Sequence, residues 1–218
     1  MQEPSWQDEL IDHLVMDARP VRRLWPPGVR LGIWLAVSAL VAVVLGRPYL
    51  RPDVVRRLES PTFVLEIAAM LLAGSLLGLE ALRAAVPGSS PSRLAMGIII
   101  TAVALVSVLQ FRQPIHWGWT PDFFLALGEF CLWRTAVLVV IPWMWLLVAL
   151  RRGVPLASAR AAALAGAAAF GLTFVVMRFC CRMDELLHLT VFHVLPVLVG
   201  TALSAGLGLL LLRRRRPS

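Results

Sequence analysis

The sequence predicts an all-α fold: a polytopic membrane protein of six transmembrane helices, both termini on the cytoplasmic side, preceded by a short amphipathic helix. Three observations carry this. The 218 residues are 59% hydrophobic with a mean hydropathy of +0.77, above the roughly half-apolar content of a soluble domain. Six separate apolar runs reach the ~17–25 residues needed to cross a hydrocarbon core of ~30 Å. The segments between them are short, leaving no room for a separate soluble enzyme domain.

The chain divides into a cytoplasmic segment over 1–27, a six-helix domain over 28–212 and a basic tail over 213–218. In the first segment, Leu10, Ile11, Leu14, Val15 and Ala18 form one apolar stripe at helical spacing. Glu9, Asp12, His13 and Asp17 lie off it. Pro20 ends this helix and biases Arg19 toward extended backbone. Helices lying flat on a membrane carry Lys or Arg on the polar face. This face is acidic, which suits a protein partner receiving the apolar stripe in a groove.

The first span is read as Gly28–Gly46, with Arg30 able to snorkel at its edge. The second is Pro61–Leu82 and the third Leu94–Phe111. The fourth ends at Leu150 and starts early, because "TPDFF" at 120–124 supplies an N-cap threonine, a proline at the first helical position and an acid in the first turn. It therefore carries Glu129, Cys131 and Arg134 near the interface. The fifth is Val154–Met177 and the sixth about Leu189–Leu212. Pro142 and Pro196 are expected to kink the fourth and sixth helices. Ser158, Ala162 and Gly166, four apart, let the fifth helix approach its neighbours closely as a central helix. Trp117, Trp119, Trp133, Trp143 and Trp145 suit an aromatic belt.

Net charge is +8, with every basic residue an arginine. The arginines flank the apolar runs and form no single face, which argues against direct nucleic-acid binding. They are more numerous at the two termini and in the second and fourth connections than on the other side, placing both termini inside. The first apolar run is not followed by a small-residue cleavage site, so the first span is expected to be retained. No P-loop, G-x-S-x-G, H-E-x-x-H or acidic cluster is present, and no enzyme is expected.

Glu66 and Glu80 fall inside the second span, where a carboxylate calls for a partner. Fourteen residues separate them, about 21 Å along the axis, so they lie near opposite membrane edges. Glu66 is expected to meet an outer arginine and Glu80 to pair with Arg83. A proton- or metal-coupled carrier using these carboxylates is the alternative function.

Cys131, Cys180 and Cys181 are all assigned to the outer, oxidising side, as are His116, His188 and His193. A disulfide between Cys131 and one of the adjacent pair, inert thiols and a redox- or metal-responsive pair all stay open. Cys131 and Cys181 with His188 and His193 have the donor chemistry for a soft ion such as zinc or cadmium. Against a preformed site, His188 and His193 are five apart, which does not put both on one α-helical face. No cofactor is required on this reading; a heavy-metal ion bound transiently is the one candidate ligand.

"LIDHLVMDARPVRRLWPP" at 10–27, "EFCLWR" at 129–134 and "CRMDELLHLTVFHVLP" at 181–196 resemble, in order and spacing, segments of the NrsF-type six-helix membrane anti-sigma factors. The resemblance implies a bacterial inner-membrane protein whose N-terminal segment holds an extracytoplasmic-function sigma factor inactive. Leu10, Ile11, Leu14, Val15, Asp17, Arg19 and Pro20 would dock it. Release would follow an oxidant or heavy-metal signal. The family's cysteines fall on Cys131 and Cys181; Cys180 is a departure, as is Arg182, where the family often has proline. The H-x-x-x-C-x-x-C spacing of soluble zinc-binding anti-sigma proteins is missing, so His13 cannot rebuild it.

Overall fold

In the computed structural model residues 6–16, 24–115 and 120–212 are described, the side chains of 7, 8 and 14 excepted. Among them every regular element is helical. The N-terminal helix, α1, covers Trp6–Met16. Leu10, Ile11 and Val15 are exposed on it. Asp17, Arg19 and Pro20, and the basic tail, lie outside the described residues.

Among the described residues, six helices are long and apolar enough to span a membrane. They are α2 (Pro27–Val41, continued to Tyr49 by a π turn over Ala42–Gly46 and a 3-10 turn), α4 (Pro61–Ala84), α5 (Arg93–Phe111), α6 (Pro121–Arg151), α7 (Ser158–Cys180) and α8 (Leu186–Leu189), which runs through a π turn over Thr190–Val194 into α9 (Leu195–Leu211). A short helix, α3 (Val54–Leu58), sits between α2 and α4. The expected spans are thus met closely. The fifth starts later than Val154 because the chain just before it is held at the end of α4: the Val154 N–H donates to the Ala85 carbonyl at 2.9 Å. Gly153 packs so tightly on Ala85 that a Cβ would overlap its backbone.

α7 is the central helix, with 67% of its apolar stretch buried against 17% for the last span. Its small residues explain this. A Cβ on Gly208 of α9 would lie 2.5 Å from that of Ala162, and one on Gly166 would lie 2.5 Å from that of Ser204. Such close backbones give dispersion contact that lipid cannot match. Ser204 Oγ donates to the Ala162 carbonyl at 2.6 Å and accepts from Trp143 Nε1 at 2.9 Å. Trp143 therefore points inward, while Trp133 is exposed; Trp117 and Trp119 lie outside the described residues.

Arg30 also turns inward. It is buried, and its Nη2 donates to the Ala149 carbonyl at 3.3 Å, one of the carbonyls the last turn of α6 leaves without a helical partner. Pro142 leaves α6 continuous, and its carbonyl accepts from buried Trp34 Nε1 at 3.0 Å. Pro196 comes two residues after the end of the π turn of the last span, whose wider geometry falls where the proline cannot donate. At 31 residues α6 is about 46 Å long, well over a hydrocarbon core, so its first turns, with Cys131 beyond them, reach toward the surface.

Candidate functional site

The four candidate ligands come together at one end of the bundle. Cys131 sits on α6, Cys181 just past the end of α7, His188 on α8 and His193 in the π turn. One donor atom from each lies within 4.8 Å of the others. The sulfurs of Cys131 and Cys181 are 3.7 Å apart, Cys131 being the donor. His188 Nε2 is 3.5 Å from Cys131 Sγ and 3.4 Å from Cys181 Sγ. Exposures are 4% and 6% for the thiols and 1% and 2% for the imidazoles, so the group is desolvated.

The local backbone decides which residues converge. Five residues carry an α-helix about 140° past a full turn. A π turn closes i→i+5 bonds and stacks residues five apart. The π turn over Thr190–Val194 therefore brings His188 and His193 to one side, with ring centroids 5.4 Å apart. The five-residue spacing that would part the two imidazoles on an α-helix therefore does not part them here. α7 stops at Cys180, and Cys181 is extended (φ −82°, ψ 131°). The two neighbouring sulfurs consequently part: that of Cys181 meets Cys131, and that of Cys180 turns to the Gly46 carbonyl at 3.7 Å. All three cysteines are unbridged.

The Cys181 thiol is held below its ordinary range, first by the hydrogen bond from Cys131 and against the opposing effect of burial, with His188 and His193 assisting. The Met183 N–H also donates to Cys181 Sγ at 3.4 Å. Phe124 and Phe192 wall the imidazoles, with ring centroids 6.3 and 5.0 Å from that of His188. A Cβ at Gly128 would overlap the Phe192 ring, so the glycine is what lets α6 close on the π turn. A cleft of ≈ 450 Å³ reaches Cys131, Cys181 and His188 from the side of Tyr49 and Phe130. Arg134 stacks between those two rings, 3.6 and 3.2 Å from their centroids.

An ion-pair cluster fixes the loop that carries Cys181. Asp184 accepts from Arg51 at 2.8 Å, from Arg178 at 2.7 Å and from Arg57. Burial opposes its ionisation, but the Arg51 hydrogen bond and the Arg178 charge win and hold it below the usual carboxylate range. Arg51 also binds Asp53, whose carboxyl is lowered mainly by that bond. Arg178 in turn grips Glu66 through Nε and Nη2 at 2.8 and 3.1 Å. The expected pairing of Glu66 with an arginine is met, as is Glu80 with Arg83 at 2.7 Å.

The sequence reading missed Asp184 and Arg51 as the clamp, and Gly128 and Phe192 as the packing that closes it. Charge alternation around the turn was the available signal for the clamp; none pointed to Gly128. His116 lies outside the described residues.

The family model described as negative regulator of sigma F, NrsF, matches residues 14–213. The chain belongs to the NrsF family. A match over nearly the whole chain makes this a negative regulator of a sigma factor, and a sigma factor is the partner the family implies. Both cysteine-bearing segments and all six spans fall within the match. No curated protein and no solved structure matches the chain.

Proposed function

We propose that this NrsF-family protein is an inner-membrane anti-sigma factor that sequesters an extracytoplasmic-function sigma factor on its N-terminal segment. It releases that factor when Cys131 and Cys181 are modified by an oxidant or a heavy metal. The observation that carries the reading is the family match; the exposed Leu10, Ile11 and Val15 on α1 supply an apolar face for a groove. The arginine distribution favours both termini in the cytoplasm and the thiol end outside. No catalytic step is part of this reading, and the partner is protein, not nucleic acid.

A route from thiols to N-terminus runs through α2. Its last turns contact Cys180 through Gly46, and Arg51 just beyond them is tied to Asp184 and, by its N–H, to the Phe179 carbonyl at 2.9 Å. Oxidation by a peroxide would join the two sulfurs and release two waters. Closing 3.7 Å to the ~2.05 Å of a disulfide draws α6 and the Cys181 loop together. That motion shifts the end of α2 and so the presentation of α1. Coupling of ~1–3 kcal/mol, or about 5–150-fold in affinity, is typical of such linkage.

A carrier based on Glu66 and Glu80 draws less support, because both carboxylates are committed to arginines. The test is a pulldown from native cytosol with the detergent-solubilised protein, intact or lacking residues 1–23. Recovery of a sigma factor with the intact form alone is expected. Recovery with neither form, or with both equally, would sink the docking role of the segment.

A further inference from the structure

We infer that Cys131, Cys181, His188 and His193 form a closed tetrahedral site for one divalent thiophilic cation of the zinc class, distinct in its residue requirement from the thiol pair that an oxidant needs. A tetrahedral ion with bonds of about 2.3 Å to sulfur and 2.0 Å to nitrogen holds its ligand atoms about 3.3–3.8 Å apart. Three of those edges are already present, at 3.7, 3.5 and 3.4 Å. The fourth ligand, His193, is 2% exposed, faces the Cys181 thiol, and has a ring nitrogen within 4.8 Å of the other three donor atoms, yet among the described residues neither of its nitrogens reaches full hydrogen-bond geometry. His188 Nδ1 does not reach it either. Buried imidazoles left this way are costly unless something else binds them.

Charge argues for the same occupant. A dication with two thiolates and two neutral imidazoles sums to zero, the state a desolvated site tolerates best. On binding, each thiol S–H bond breaks, the sulfur pairs go to the ion, and two protons leave to water through the cleft beside Arg134. No oxidant or reductant is consumed. The Met183 N–H to Cys181 Sγ supplies a hydrogen bond that orients a ligating thiolate. Cys180, turned to Gly46, takes no part. The ion would tie α6 to the Cys181 loop and the π turn, the same elements a disulfide would join. Its signalling consequence rests on the proposed function; binding does not.

The test is a titration of the full-length reduced protein, purified in detergent without a histidine tag, with cobalt(II) and then zinc(II) or cadmium(II). One equivalent of cobalt should give the intense d–d bands of a tetrahedral centre and a sulfur-to-cobalt charge-transfer band. One equivalent of zinc should erase both. Cys180→Ser should leave the spectrum unchanged, whereas His193→Asn and Cys131→Ser should weaken binding by at least about 10–100-fold. The double variant His188→Asn/His193→Asn should still form the Cys131–Cys181 disulfide with peroxide, which shows that the variant is folded and separates the two chemistries. A weak octahedral spectrum, a spectrum unmoved by the histidine variants, or one lost in Cys180→Ser would overturn the site. None of these outcomes depends on whether a sigma factor is bound.

Discussion

Replacing Arg178 with methionine should be among the most damaging single changes outside the thiols, and markedly worse than removing its partner's charge. The side chains of Arg178 and Glu66 are 1% and 3% exposed and share two hydrogen bonds of 2.8 and 3.1 Å. Without Arg178, both Glu66 oxygens lose the partner they have among the described residues, and breaking a buried pair this way costs about 3–5 kcal/mol. Asp184 suffers less, because Arg51 and Arg57 still reach it. Glu66→Gln leaves Arg178 bound to Asp184 at 2.7 Å, so the loss should be that of a charged hydrogen bond, about 1.5–3 kcal/mol. The double variant Glu66→Leu/Arg178→Met removes both buried charges and should recover most of the Arg178→Met loss. Unfolding by SDS in mixed micelles, followed by tryptophan fluorescence, measures all three. Equal losses for the two single changes, or a double variant no more stable than Arg178→Met alone, would refute the pairing argument.

Further outcomes can be checked alongside. Peptide mapping after mild peroxide treatment should find Cys131 joined to Cys181 and not to Cys180, since only the former pair of sulfurs faces each other. Gly128→Ala should displace Phe192, destabilise the protein by about 1–3 kcal/mol and slow that disulfide, as read by its rate of formation. Trp34→Phe should cost about 1 kcal/mol through the lost bond to the Pro142 carbonyl. Asp184 and Asp53 have folded pKa values below the ordinary ~3.9, so their contribution is complete above that value and is lost as pH falls through the folded ones. Melting should therefore be flat from neutral pH to about 5 and decline below about 4. Asp184→Asn should flatten that decline; an unchanged acid slope would remove Asp184 from the explanation.

The spans were legible because the bilayer imposes a simple demand. About twenty apolar residues and an internally bonded backbone leave little choice but a helix, so the apolar runs placed Pro61 and Phe111 closely and the proline and acid of "TPDFF" placed the start of α6. The small-residue face of the fifth span was equally readable, because close helix approach leaves few alternatives to Gly, Ala and Ser. The donor types of the site were visible too: two thiols and two imidazoles on segments assigned to one side. Their convergence was not. It depends on a π turn, a departure from the 3.6-residue period that side-chain spacing does not announce. Which of two adjacent cysteines faces Cys131 was decided by where α7 ends, since one residue of extended backbone sends neighbouring side chains apart. Glu66 likewise meets Arg178, and Asp184 meets Arg51, from more than a hundred residues away, although Arg178, which also binds Asp184, lies only six residues from it. Local sequence sets what each helix is; only the packing of one helix against another decides which buried charges and thiols meet.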